Sequence, residues 1–204
     1  MYKNRIDNIG KMSAISSGKY DIPIILPDDV DQIEWIGFNY VKSQNDCKGK
    51  GVHFFLDDYQ FLRTWNNPND YIDKLRKFDC VLSPDFSTFT DYPMAMQIFN
   101  HYRKHWIGAY WQNAGIPVIP TISWSDEKSF EWCFDGEPKE SVIAVSSIGT
   151  QKNPKSKDAF LFGYNKMMEE LRPKKILFYG NVPKECHGNI VNIEAFQNHF
   201  RKDT

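Results

Sequence analysis

Three aspartates stand where this chain could do chemistry. Asp57 and Asp58 directly follow the short apolar run VHFFL (52–56), and Asp85 closes the run VLSPD. Acids at the carboxyl ends of neighbouring β-strands point into a common crevice, where they could hold a divalent cation or serve as general acid and base. The same residue types also cap helices, by accepting hydrogen bonds from the first free amides, so a capping role for Asp57 and Asp58 stands beside the chemical one. Equivalent positions after the other apolar runs carry Asn39, Ser123 and Trp124, Ser146 and Ser147, and Tyr179. This set is small, polar and hydrogen-bonding, and its two rings could stack on a base or sugar. Gly149 and Gly180 lie in the turns SSIGTQKN and YGN, whose backbone amides could meet a phosphate with Lys152 or Lys155 nearby.

Other chemistries are not written in the chain. There is no GxSxG nucleophile elbow, no P-loop and no GxGxxG fingerprint. Cys47, Cys80, Cys133 and Cys186 form no close ligand pair, which predicts free thiols with Cys80 and Cys133 buried. His101 and His105 share a helix face, but Tyr-Arg-Lys lies between them, without the glutamate a zinc-hydrolase helix carries as its base. They are expected to be solvated or to cap, with a metal site as the weaker reading.

The elements that must position these residues alternate. Apolar runs at 33–41, 52–56, 81–86, 118–124, 142–149 and 175–180 read as strands. Helical segments separate most of them: two pieces broken around Pro68, then Pro93–Asn113, then a helix from Asp158, with a capped SFEWCF piece behind Ser125-Asp126. Met94, Ile98, Tyr102 and Ile107 make an approximate core-facing stripe. This order predicts an α/β fold with a mostly parallel sheet of about five to six strands and crossover helices, either an open three-layer sandwich or an incomplete TIM-like barrel. A full eight-unit barrel needs ~250 residues, more than the 204 present. The expected organisation is an arm or edge segment at 1–32, where two prolines restrict IPIILP, one domain at 33–181, and a tail at 182–204 that packs on the domain or frays.

Composition narrows the partners. A net charge of −1 provides no global positive field for nucleic acid or an anionic membrane. No apolar run reaches the ~20 residues of a membrane span, and no signal-peptide pattern opens the chain, so a cytoplasmic location is expected.

At SPDFS (83–87), YPMAMQ, the YR-to-YWQ segment, GIPVIPTISW and FYG, the chain resembles an uncharacterised family of bacteria, their phages and mobile elements, domain of unknown function 4417. The resemblance spans Val52 to about Asn181 and marks Asp85, Gln97, Arg103, Gln112, Trp124, Ser146, Gly149, Tyr179 and Gly180. It implies no established chemistry. Proteins resembling this family are sometimes labelled rolling-circle replication initiators, which implies a two-histidine metal motif and a tyrosine nucleophile; the five histidines here never form that pattern. Three functions follow as expectations: an enzyme acting on a small phosphorylated or nucleotide-like ligand, a non-catalytic effector that sequesters a nucleotide or blocks a host protein, and a nucleic-acid-binding replication protein. A divalent metal is compatible with the acids.

Overall fold

The computed structural model describes residues 8–12 and 14–193. An arm comes first, with β1 (Ser16–Ser17) and β2 (Ile22–Pro23) paired antiparallel. The body then runs β3 (Glu34–Gly37), β4 (Lys50–His53), α1 (Leu62–Asn66), α2 (Ile72–Leu75), β5 (Cys80–Leu82), α3 (Met94–Asn113), β6 (Val118–Ile119), β7 (Val142–Ser146), α4 (Pro154–Leu171), β8 (Lys175–Tyr179) and β9 (Ile190–Ile193). The strands form parallel ladders of four, β3-β4-β5-β6, and three, β7-β8-β9. Each ladder is shorter than the five to six strands expected. β6 stops after two residues because Pro120 has no N–H to donate. The two ladders still join: Thr121 bridges Ala144 in parallel, Ala144 N–H donates to Pro120 O at 2.8 Å, and Ile122 N–H donates to Ala144 O at 2.7 Å. Seven parallel strands therefore lie side by side in sequence order.

Strict alternation along these strands separates two faces. Trp35, Cys80, Leu82, Ile119, Val142, Ala144, Leu177, Tyr179, Val191 and Ile193, with Phe55 just past β4, meet in one cluster. Every core strand, or for β4 the residue just beyond it, contributes to this cluster, and no helix does. The alternate residues face outward: Val52, Val81 and Val118 pack with Trp106, Trp111 and Leu75 of the helices, while Ile143, Val145, Ile176 and Phe178 pack with Phe160, Tyr164 and Met167 of α4. A flat sandwich would put helices on both faces. Here one face closes on itself, and the rings of His53 and Tyr179, with three strands between theirs in the sheet, approach to 4.8 Å. The sheet is thus curled into an incomplete barrel with its helices outside. No ladder among the described residues pairs β3 with β9.

Several boundaries move for local reasons. The first core strand ends at Gly37, since Phe38 and Val41, three residues apart, are both buried by a 3₁₀ turn over Phe38–Ser43; Asn39 lies in that turn, exposed. α4 begins at Pro154, earlier than expected, because Asn153 caps it by accepting from Ser156 N–H at 2.9 Å and proline suits the first turn. The apolar piece near the carboxyl end supplies β9. The cysteines are free thiols, Cys47, Cys80 and Cys133 buried and Cys186 partly so. No helix among the described residues is long and apolar enough to cross a membrane.

Candidate functional site

Beyond the ends of β5 and β6 the ladder is continued by side chains. Ser83 Oγ accepts from Thr121 N–H at 2.8 Å, and Thr121 Oγ1 donates to Ser83 O at 2.9 Å. Two residues further along each chain stand Asp85 and Ser123, so the same side of both strands is presented again. Ser123 hydrogen-bonds the Asp85 carboxylate. Together they form one wall of a pocket of about 400 Å³ at the carboxyl ends of β5, β6 and β7. Trp124 and Ser125 extend that wall, the 88–90 loop carries Phe89 over it, and Ser146, Gly149, Thr150 and Lys152 lead from β7 into the first turns of α4. Carboxyl ends of parallel strands are where such folds bind ligands.

Burial pushes the Asp85 carboxyl up to about 7; the Asp58 charge adds to the rise, while Lys104 and the Ser123 hydrogen bond oppose it. A half-buried acid that exchanges its proton near neutrality suits acid–base work. The other two acids do not join it. Asp58 is engaged with Ser87, accepting from its N–H at 3.2 Å and from its Oγ at 2.8 Å, and so pins the loop after β5. Asp57 is exposed at the start of a 3₁₀ turn and makes no side-chain cap. The convergence of three carboxylates reduces to one in the pocket and one beside it.

Five of the expected residues line this pocket: Asp85, Ser123, Trp124, Ser146 and Gly149. Ser147 works behind it, donating to Asn181 O at 2.7 Å while Gln151 Nε2 donates to both, which ties the turn after β7 to the turn after β8 at Gly180. Tyr179 is buried in the barrel interior, stacked on Phe55 with ring centroids 4.6 Å apart.

Trp124 is held by an absence. A Cβ on Gly163 of α4 would stand 2.1 Å from Trp124 Nε1, so the indole lies flush on the helix only because that residue is glycine. We expect Gly163→Ala to expel the ring, changing tryptophan emission and costing about 1–3 kcal/mol in a denaturant titration. Unchanged emission and stability would count against this contact.

Of the expected apolar stripe on α3, Ile107 is fully buried in the core, but Met94, Ile98 and Tyr102 are only partly buried, whereas Gln97, Asn100, His101, Lys104 and His105 are buried. His101 and His105, expected to be solvated, are 1% and 0% exposed. The arm explains this, since it lies along α3 with Ile22 and Ile25 fully buried and brings the Pro23 carbonyl within 2.9 Å of His105 Nδ1. The 135–137 turn closes the other side: Ile25 N–H donates to Gly136 O at 3.0 Å, and Gly136, at φ +77°, leaves no room for a Cβ between Pro23 O and His105. Lys104 Nζ donates to Thr121 O at 2.7 Å and to Glu137 Oε1 at 2.9 Å, so one buried cation serves the strand under the pocket and the turn beneath the arm. Sequence reasoning missed Lys104 and Glu137. The available signal was the polar spacing 97, 100/101, 104/105 on a helix that two strands oblige to be buried.

The family described as Domain of unknown function (DUF4417) matches residues 14–197. The chain belongs to that family. Its relatives include the "Gene 1 protein" of Mycobacterium phage L5, 36% identical over 174 residues that cover 84% of this chain and 76% of the phage protein. The "Gene 1 protein" of Mycobacterium phage D29 is 33% identical over 192 residues, 93% of this chain and 71% of that protein. No solved structure matches. This DUF4417 chain is thus a phage-type protein.

Three further marks of the DUF4417 resemblance hold the framework of the site. Gln97 accepts from Ser125 Oγ at 2.6 Å and donates to Tyr92 O at 2.9 Å, joining the loops after β5 and β6. Arg103 lays its guanidinium 3.9 Å from the Phe86 ring centroid, and burial lowers its pKa against the opposing pull of Asp58. Gln112 stands at the other end of α3, where its amide pairs with both backbone groups of Leu26 and anchors the arm. The histidines do not recreate an initiator motif: His53, His101 and His105 are buried, His187 lies apart and exposed, and His199 falls outside the described residues.

Proposed function

We propose that this DUF4417 protein binds a small phosphorylated or nucleotide-like ligand in the pocket beyond β5, β6 and β7, with Asp85 as its acid–base group. The observation that carries this reading is the meeting of Asp85, Ser123, Trp124 and the 146–152 turn in one pocket of about 400 Å³, a size suited to a small molecule. The chemistry divides across the pocket. Lys152 and the first turn of α4 favour an anionic group by charge and dipole. Trp124, Phe89 and Phe160 offer flat apolar surface to a base or sugar. Ser123, Ser125 and Thr150 give hydrogen bonds between these ends. Asp85, its carboxyl pushed up to about 7 by burial, can donate to or accept from the ligand's reacting group.

The test begins with the protein as purified. Native mass spectrometry followed by denaturing analysis should release a phosphate-bearing small molecule, and a thermal-shift series of nucleoside mono- and diphosphates should contain at least one that raises the melting temperature. Lys152→Ala, at unchanged apo stability, and Trp124→Ala, measured against its own lowered apo melting temperature, should each weaken that shift about tenfold or more in apparent Kd. No binder in the series, or binding indifferent to both substitutions, would overturn the proposal.

A second reading, sequestration without turnover, is favoured by the single carboxylate in the pocket, since Asp57 and Asp58 face elsewhere. The two separate on the fate of the bound molecule. Recovery of unchanged ligand after long incubation supports sequestration, whereas a modified product supports catalysis.

A further inference from the structure

We propose that His101, His105 and Glu137 form a binding site for a divalent transition-metal ion of the zinc type, beneath the arm and separate from the strand-end pocket. One ligand atom from each residue lies within 4.8 Å of the other two. All three side chains are buried, and two of their polar atoms, His101 Nδ1 and Glu137 Oε2, have no hydrogen-bond partner. An unpartnered buried carboxylate oxygen is costly to keep, and a bound cation would satisfy it.

The outer contacts orient both rings for ligation. His101 Nε2 lies 3.0 Å from Asp135 O, and His105 Nδ1 lies 2.9 Å from Pro23 O. A carbonyl can only accept, so each of these nitrogens carries a proton, which leaves His101 Nδ1 free to ligate and His105 Nε2 against Glu137. This is the arrangement that metal-bound imidazoles adopt, the distal N–H held by a backbone carbonyl. The second ring nitrogen of His105, Nε2, lies 2.9 Å from Glu137 Oε1, a contact that a proton bridges in the metal-free protein and that a shared cation would replace. Burial, with Lys104 and His105 beside it, lowers the His101 pKa well below its usual range, and His105 and Lys104 lower that of Glu137 despite its burial.

Lys104 decides the class of ion. Its Nζ occupies Glu137 Oε1 and neutralises most of the carboxylate charge, which leaves Oε2 and two imidazole nitrogens as the donor set. A hard oxygen-seeking ion such as Mg²⁺ or Ca²⁺ gains little there, while Zn²⁺, Co²⁺ or Ni²⁺ gains from nitrogen donors. Tetrahedral ligands at ~2.0–2.1 Å from zinc stand about 3.4 Å apart, within reach of small rotations of these side chains. A second pocket of about 400 Å³, lined by Ser17, Asp135, Glu137 and Glu170 among others, lies beside the cluster, and Asp135 Oδ2 is a further buried, unpartnered oxygen there.

The full chain, stripped with EDTA and titrated with Co²⁺, tests the site. Expected are one equivalent bound, visible d–d absorption of a four- or five-coordinate ion, displacement by Zn²⁺, and a higher melting temperature with metal than with chelator. His101→Gln, which retains an amide donor for Asp135 O, should weaken binding at least tenfold while circular dichroism and the melting temperature in EDTA stay as in the parent protein. Glu137→Gln should weaken it similarly, and if that variant fails to fold, His101→Gln alone decides. Absence of stoichiometric Co²⁺ binding to the folded chain overturns the site. So does His101→Gln binding as tightly as the parent protein, or binding that disappears in the Cys186→Ser/His187→Gln variant, which would move the ion to that exposed pair.

Discussion

Lys104→Met is expected to cost about 3–5 kcal/mol in a chemical denaturation at neutral pH, the largest loss we anticipate from a single polar substitution in this protein. Methionine matches the lysine stem in volume, so the loss is electrostatic rather than a cavity. The ammonium is 1% exposed and donates to Glu137 Oε1 and Thr121 O; without it, a carboxylate that is 0% exposed keeps only His105 as partner, and the Thr121 carbonyl loses its donor. The double variant Lys104→Met/Glu137→Met should recover much of that loss, because exchanging both members of a buried pair for apolar side chains removes two desolvation costs together. Strictly additive losses in the cycle would mean that the two groups do not act on one another. A companion effect reaches the strand-end pocket: since Lys104 restrains the Asp85 pKa, its removal should move the Asp85 titration above its present value of about 7, as read by carboxyl carbon NMR.

Asp85→Asn should act in the opposite direction on stability. With its carboxyl at about 7 in the fold against 3.8 for the ordinary group, Asp85 is still protonated in the folded chain at pH values where the unfolded chain has already ionised it. The folded state then binds more protons, and stability falls as pH rises from about 4 to about 7, after which the penalty is constant. By linkage the loss is roughly 4 kcal/mol as an upper value. Asparagine cannot ionise and escapes it. Denaturation midpoints should therefore coincide for parent and variant near pH 4 and diverge by pH 8, the variant being the more stable, with its pH slope flattened. The same substitution should remove any turnover of the pocket's ligand, the usual exchange of stability for function at a strained group. If Asp85→Asn is less stable at pH 8, the carboxylate serves the framework rather than a ligand.

Much of the frame was legible from residue order alone. Short apolar runs alternating with helical segments can bury both faces only as parallel strands with crossovers, so the α/β class and the strand-end location of Asp85, Ser123, Trp124, Ser146 and Gly149 followed from local patterns. Boundaries followed less well, because they turn on single features such as Pro120 ending β6 or Asn153 starting α4. The curl of the sheet was not legible. Val142 and Ala144 alternate with Ile143 and Val145 identically in a flat sheet and in a barrel, and only their meeting with Trp35 and Ile193 in one cluster distinguishes the two.

The site divides along the same line. Residue type and strand-end position, which are local properties, determined by themselves that an acid, two serines and an indole would stand on one rim of this protein. Which acid enters the pocket was decided by tertiary structure, since Ser87 engages Asp58 across 29 residues of chain and leaves Asp85 to face Ser123. The polar face of α3 was decided there too. Periodicity assigns a helix its buried side by counting apolar residues, and it fails when the covering elements bring their own polar partners. Pro23, Thr121, Asp135 and Glu137 reach α3 from distant parts of the chain, and their hydrogen bonds make it possible to bury His101, Lys104 and His105 where a sequence pattern would expose them.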